Sequence, residues 1–317
     1  MKIAVVICTF RRSDSLVRAL ASIAEAEPPL SAAWQVLVVD NGDCRDTRRV
    51  VEDFRSRLPI DLLIAPEAGL ARARNAAAQQ VDCDYFLWTD DDVTVGRNWL
   101  RAYETAFARN PQAAFFGGPI LPHLEGTPPS WLVDSLPRVY SAFAGCKMTG
   151  DVTRFDLHSR ELPFGANFAV RGKEQRSLRY DVSLGRQPGP WLLGGEEVDL
   201  LRRICATGGT GAWVSDAEVT HWIDPKRQSI AYLRSYYEGQ GFALARAKLA
   251  AQPRGAMLPR PVWRDLLRSE LAYWIGWLTR RPKTQMRALK KASKLRGMLA
   301  AQRAFQRAGD FSLEAER

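Results

Sequence analysis

The sequence predicts an α/β fold, a parallel sheet flanked by helices, and three observations carry that prediction. Short apolar runs rich in Val, Ile and Leu alternate with stretches of helical spacing through the first half of the chain. Polar and acidic residues close those runs, at the strand ends where open α/β sheets bind ligands. Beyond residue 226 the alternation gives way to long basic helical stretches.

The first strand spans residues 3–9. Residues 13–26 place Leu16, Ala19, Leu20 and Ile23 at helical spacing and stop before Pro28-Pro29. Residues 35–40 are a second buried strand, 46–58 a helix and 61–65 a third strand. Gly69 introduces a helix over 70–80; a fourth strand over 85–89, a helix over 97–109 and a strand over 113–117 complete the repeat. This alternation requires parallel strands joined by right-handed crossovers. Residues 119–163, rich in Pro and Gly, read as a long loop region or small insertion, and long loops in compact domains are usually functional. A strand resumes over 163–170 and a helix over 196–207.

Composition sets bounds. The 317 residues are 46% hydrophobic and 25% charged, ordinary for a globular chain. Five cysteines lie far apart without a CxxC pair, which suits a reducing cytosol and speaks against structural zinc. The N-terminal apolar run is too short for a signal segment, and no stretch approaches the apolar length of a membrane span. The net charge of +10 is uneven: residues 226–317 hold 20 Lys+Arg against 6 Asp+Glu, leaving an acidic body that argues against nucleic acid as partner. Within that tail, 262–279 gathers Trp263, Leu266, Leu267, Leu271, Trp274, Ile275 and Leu278 on one helical face. Residues 284–307 set Met286, Leu289, Leu295, Met298, Leu299 and Phe305 against Lys and Arg. Basic amphipathic helices with dense Trp point to an anionic membrane surface as partner of residues 255–317; packing on the domain with a solvated basic face is the alternative.

Asp90-Asp91-Asp92, directly after the run Tyr85-Phe86-Leu87-Trp88, is the strongest chemical signal. Three adjacent carboxylates at a strand end repel one another unless a cation is present, and a hard divalent ion with a phosphorylated ligand fits the position. A helix cap needs only one of them. Thr9, Phe10 and Arg11 close the first strand, where Thr9 and Arg11 would meet a nucleotide base or phosphate. Asp40 closes the second strand and would accept from a base N–H or a ribose hydroxyl, although Asp40-Asn41-Gly42 also suits a plain turn. Arg74 lies on the helix that Gly69 opens, where helix-start N–H groups attract anions. Glu196-Glu197 follows Gly194-Gly195 at a helix start and forms a second acidic cluster, placed as a general base must be. His221 stands alone among only three histidines.

The ordered series CTFRR (8–12), VVDNG (38–42), GLARARNAA (69–77), WTDDDV (88–93), PFGANFAVR (163–171), GGEEVDLLRR (194–203) and EVTHW (218–222) resembles the family 2 glycosyltransferases of the GT-A fold, over about residues 3–245. Within them it looks like the bacterial exopolysaccharide and cell-surface glycan branch. The resemblance implies a Rossmann-like, mixed, mostly parallel sheet, with a catalytic domain over 1–225 (donor half 1–118, acceptor half 119–225) and a C-terminal helical extension over 226–317. It implies a nucleotide-sugar donor and Mg2+ or Mn2+ held by Asp92, Asp90 and His221. Thr9 and Asp40 would contact the base, Arg74 the diphosphate, and Asp90 or Asp91 the ribose. Gly165, Ala166 and Asn167 would line the donor-sugar pocket, and Trp191 would stack on the acceptor. The family usually carries Glu-Asp where this chain has Glu196-Glu197, which maps the base onto Glu197 and leaves Glu196 open. The expected reaction inverts the anomeric carbon of a UDP-sugar and builds a glycan or lipid-linked acceptor, in the cytoplasm at the inner face of the membrane. A nucleotidyltransferase would show a Gly-rich loop after the first strand, which CTFRR lacks, and a non-catalytic nucleotide-sugar-binding scaffold would not need both acidic clusters intact.

Overall fold

The computed structural model describes residues 1–148, 154–185, 194–250 and 261–308. In chain order the elements are β1 (Lys2–Thr9), α1 (Ser13–Glu25), β2 (Ala33–Asp40), α2 (Arg45–Phe54), β3 (Ile60–Ile64), α3 (Leu70–Gln80), β4 (Tyr85–Asp90), β5 (Val93–Val95), α4 (Trp99–Arg109), β6 (Phe115–Gly117) and β7 (Ile120–Leu124). Next come α5 (Ser130–Val139), β8 (Arg154–Phe155), β9 (Asn167–Arg171), α6 (Gly172–Ser177), α7 (Glu196–Ala206), β10 (Gly211–Trp213), β11 (Val219–Ile223), α8 (Ile230–Ala250), α9 (Pro261–Leu278) and α10 (Pro282–Ala308).

The chain divides into two compact units. The first comprises Met1–His123, Phe143–Pro188 and Gly195–Ile223. It holds a mixed eight-stranded sheet in the order β3-β2-β1-β4-β9-β6-β10-β8, in which β3, β2, β1 and β4 are mutually parallel and β9 runs antiparallel between β4 and β6. The period of two along each strand sorts its side chains onto opposite faces. Ile3, Val5 and Ile7 join Val36, Val38 and Leu87 under α1, α2 and α4. Ala4 and Val6 join Val39, Phe86 and Trp88 under α3 and α7. Because helices cover both faces, the central strands are continuous apolar runs rather than alternating ones.

Register then fixes the site. Thr9 pairs with Asp40, and Cys8 with Asp90, so the carboxyl ends of β2, β1 and β4 finish at one edge. A second sheet, β5-β11-β7, sets His221 opposite Val93, one residue beyond Asp92.

The region over 119–163, expected as a long loop or a small insertion, carries β7, α5 and β8. Its prolines hid this: Pro129 precedes α5 and Pro137 lies inside it. The strand expected from 163 begins only at Asn167, and the helix expected to reach 58 ends at Phe54.

The second unit gathers Leu124–Ala142 with the chain from Asp224 onward, where the sequence had placed the boundary at 225/226. It contains α8, which the sequence reading did not delineate. The axes of α8 and α10 cross closely: a Cβ added at Gly241 would run into the Lys294 carbonyl, and one at Gly297 into the Glu238 carbonyl. The two terminal helices, for which the sequence left both a membrane contact and packing on the domain open, behave differently. In α10, Met286, Leu289, Leu299 and Phe305 are buried, so its apolar stripe is spent on packing. In α9, Leu266 turns inward while Trp263, Leu267, Leu271, Trp274, Ile275 and Leu278 remain exposed. No helix among the described residues is long and apolar enough to cross a membrane.

Candidate active site

A cavity of about 320 Å³ opens at the carboxyl edge of the sheet, lined by Thr9, Phe10, Arg12, Asn41, Gly69, Asp90, Asp91, Asp92 and His221 among others. The three aspartates take different roles. Asp91 is buried; one carboxylate oxygen accepts from the Thr9 hydroxyl at 2.8 Å and the other from Arg12 at 2.7 Å. Burial pushes its carboxyl up to about 7 against the pull of Arg12, with the neighbouring Asp92 charge adding to the rise. Asp92 is also buried; it accepts from the second Arg12 amine at 2.9 Å and lies 3.3 Å from His221 Nε2. Asp90 is the most exposed of the three and stands 3.6 Å from Arg74.

Arg12 is a site residue that the sequence did not single out. Its fork spans Asp91 and Asp92 and screens their mutual repulsion. Burial alone would lower its pKa, but the two carboxylates win and raise it. The turn that aims it is made by Arg11, which takes a left-handed φ of 53°, a conformation costing an L-residue about 1–2 kcal/mol. Arg11, expected to meet the ligand, does not line the cavity; it lies over the exposed Phe10 ring, 5.4 Å from its centroid.

His221 is buried, and its Nδ1 lies 2.7 Å from the Phe143 carbonyl. A carbonyl only accepts, so Nδ1 carries the hydrogen and Nε2 is aimed at Asp92. No group of three or more His, Cys, Asp or Glu among the described residues is arranged to hold a metal by itself. A carboxylate–imidazole pair nonetheless fits a divalent ion, which is commonly bound by one or two carboxylates with substrate phosphates completing the shell.

Behind the cavity lies a second cluster built on Arg74. Its guanidinium is 2% exposed, donates to Glu196 at 2.9 Å and to the Gly165 carbonyl at 3.2 Å, and stands 5.4–5.8 Å from the ring centroids of Trp88, Phe168 and Tyr180. Expected beside a diphosphate, Arg74 is instead enclosed, because α3 turns it inward toward the two glutamates. Gly165 permits this approach: a Cβ there would fall 2.6 Å from the guanidinium. Gly195, at φ 96°, turns the chain into α7 so that both glutamates point inward. Glu196 is held by Arg74. Glu197 accepts the Gly165 N–H, at 3.2 Å, and makes no ion pair among the described residues. Burial pushes its carboxyl up to about 7, with Glu196 adding to the rise and Arg74 opposing it. Neither glutamate lines the cavity; Arg74 joins them to it by its approach to Asp90.

Two expected ligand contacts are structural. Asp40 is fully buried, and its carboxylate accepts the N–H groups of Gly42 and Cys44 at 2.9 and 2.7 Å, closing the turn after β2. Its neighbour Asn41 reaches the cavity and pins the start of α3, accepting the Gly69 N–H at 2.8 Å. Asn167 is saturated in the core: it accepts from Trp99 and Tyr103 and donates to the carbonyls of Pro119 and Ala217. Ala166 is buried in the core as well. Trp191 lies outside the described residues. Cys8 lines the cavity, but burial pushes its thiol up to about 12, which removes it as a nucleophile.

The fold thus sets a cavity lined by three aspartates at the carboxyl ends of parallel strands, the place where open α/β sheets bind ligands. Residues 4–149 match the Glycosyl transferase family 2 signature. The succinoglycan biosynthesis protein ExoM of Rhizobium meliloti (strain 1021) is 30% identical over 251 residues, covering 74% of this chain and 72% of that protein. The poly(ribitol-phosphate) beta-N-acetylglucosaminyltransferase TarS of Staphylococcus aureus is 26% identical over 103 residues, 32% of this chain and 18% of its own length. Two solved structures share the fold. A mannosyltransferase of Pyrobaculum calidifontis in complex with GDP-Man and Mn2+ has a TM-score of 0.54 at 17% identity, covering 97% of this chain and 76% of that one. TarS 1–349 in complex with UDP-GlcNAc has a TM-score of 0.54 at 16% identity, covering 97% and 92%. The chain belongs to the family 2 glycosyltransferases, of the bacterial polysaccharide type.

Proposed function

We propose that the protein transfers a sugar from a UDP-sugar to a hydroxyl of a glycan, inverting the anomeric carbon, with Glu197 as general base. The arrangement of the glutamate pair carries this reading: Arg74 holds Glu196, while Glu197 stays buried beside it, with no ion pair among the described residues and with a carboxyl near neutrality. Such a group takes up a proton most effectively near pH 7. It removes the acceptor hydroxyl proton as that oxygen bonds to the anomeric carbon and the bond to the diphosphate breaks. A single displacement needs no covalent enzyme intermediate, in keeping with a cavity whose Cys8 thiol stays protonated.

Thr9, Phe10 and Asn41 hold the nucleotide across the ends of β1 and β2, and Asp90 takes the ribose. Asp92 and His221, with Asp90 on the same cavity wall, would hold Mg2+ or Mn2+, and the ion would supply positive charge against the negative charge of the departing diphosphate. The UDP-GlcNAc complex of TarS and the Mn2+ complex of the mannosyltransferase, both of this fold, support these choices of nucleotide and ion. The match to ExoM supports an exopolysaccharide acceptor, carried on a lipid at the inner face of the cytoplasmic membrane. The basic C-terminal region suits that anionic surface.

A thermal-shift series with nucleotide diphosphate sugars and Mn2+ tests the donor assignment. A specific UDP-sugar at 100 times its Kd stabilises the folded enzyme by about 2.7 kcal/mol. The shift is expected with Mn2+ and not with EDTA, and not in Asp92→Asn. Equal shifts from GDP- and dTDP-sugars, or a shift indifferent to EDTA, would refute it.

A further inference from the structure

We infer that the outward face of α9 is a membrane-docking surface that lies flat on an anionic lipid bilayer, with α10 its internal support rather than a second contact. Trp263, Leu267, Leu271, Trp274, Ile275 and Leu278 are each 49–71% exposed and recur at helical spacing along one side of an 18-residue helix. The opposite side is spent: Val262 and Leu266 pack against Ala292 and Leu299 of α10. An exposed apolar face of this length on one helix marks an interaction surface.

Charge selects the occupant. The acids of α9 are both engaged by α10, Asp265 with Lys291 at 3.6 Å and Glu270 with Arg296 at 2.8 Å. Arg264 and Arg268 on α9, Arg280 and Arg281 in the turn after it, and Lys283 at the start of α10 are exposed and make no ion pair among the described residues. An apolar strip rich in Trp and fringed by unpaired cations complements the boundary between acyl chains and anionic headgroups. A second copy of the chain would set the same cations against themselves. The helix is not apolar enough to span a bilayer, so it seats on the surface.

The inference rests on the reading of a membrane-borne acceptor, yet its test needs neither donor nor acceptor, so the two fail separately. The full-length protein is floated with vesicles of phosphatidylcholine, alone or with phosphatidylglycerol. Binding to the anionic vesicles is expected, weakening as salt rises. Leu267→Glu/Leu271→Glu is expected to lower affinity about tenfold or more, each leucine losing its place in the acyl boundary. Both side chains are exposed, so its melting temperature is expected to match the wild type. Arg264→Gln/Arg268→Gln is expected to lose binding to the anionic vesicles selectively, and Leu30→Glu, an exposed leucine of the other unit, to change nothing. Quenching of wild-type tryptophan fluorescence by brominated acyl chains checks insertion without any substitution. Wild-type protein that ignores anionic vesicles, or a double glutamate variant that floats as well as wild type, overturns the inference. So does a dimer that this variant dissociates while vesicle binding persists.

Discussion

Glu197→Gln is expected to lower the transfer rate by about 10²–10⁴ while leaving the fold intact, because a glutamine keeps the shape of the side chain but cannot take the acceptor proton. The buried carboxylate is itself a burden on stability, and the sign is definite. A carboxyl raised from 4.5 to about 7 carries no ionisation penalty below its unfolded pKa, and the penalty grows as pH climbs to the folded value. Above pH 7 the Gln variant should therefore melt no lower than the wild type. The wild-type rate should rise with pH along a limb with an apparent pKa near 7, a value that belongs jointly to the coupled glutamate pair. Initial rates across pH 5–9 (a range of roughly four units centred on that pKa) check this, as does a melting curve of each protein. A variant retaining half the wild-type rate would remove Glu197 from the chemistry. Glu196→Gln should be milder in rate, since that carboxylate is already committed to Arg74 at 2.9 Å.

Arg74→Ala is expected to produce the largest loss of stability. The guanidinium is enclosed among three aromatic rings and serves Glu196, Gly165 and Asp90 at once. Its removal leaves Glu196, only 2% exposed, as a buried charge without a partner. Breaking a buried pair from one side typically costs about 3–5 kcal/mol. It also leaves a void where the guanidinium packed. The double variant Arg74→Ala/Glu196→Gln should recover part of that loss, because the stranded charge goes with the partner. Arg74→Lys should restore little, since an ammonium cannot serve the carboxylate and the carbonyl in one plane. Denaturant unfolding of the four proteins reads the coupling directly. Equal losses in the single and double variants would mean that the pair is not the source of the stability.

Much of this site was legible in the sequence because it sits at strand ends. The runs of β1, β2 and β4 are buried on both faces, so they stand out as uninterrupted apolar stretches, and the residues just past them fall at the ligand edge by topology. That reasoning put Thr9 and the three aspartates at the cavity, whereas the glutamate pair was read from its place after two glycines at a helix start. It failed where a side chain's role is decided by groups across the fold. Asn167 looks like a pocket residue beside Gly165, yet four groups from distant segments saturate its amide. Asp40 satisfies its own turn, and Asn41, one residue on, reaches the cavity. Arg12 was hidden by its neighbour: only the left-handed turn at Arg11 decides which of two adjacent arginines faces the acids. The signal for α8 was present but unused, since Leu233, Tyr237, Gly241, Ala245 and Leu249 recur every fourth residue. Spacing set Trp263, Leu267, Leu271, Trp274, Ile275 and Leu278 on one face of α9, but that this face stays exposed while the stripe of α10 is buried depends on which helices pack together, which periodicity does not encode.

The proposed reaction divides its labour between two places: the aspartate cavity holds the donor, and Glu197, outside that cavity, serves the acceptor. Calorimetric titration of the same UDP-sugar with Mn2+ into wild type, Asp92→Asn and Glu197→Gln separates the two roles. The division predicts wild-type donor affinity in Glu197→Gln, with transfer slowed by about 10²–10⁴, and donor affinity at least tenfold weaker in Asp92→Asn. Loss of donor binding in Glu197→Gln, or full affinity in Asp92→Asn, would contradict it.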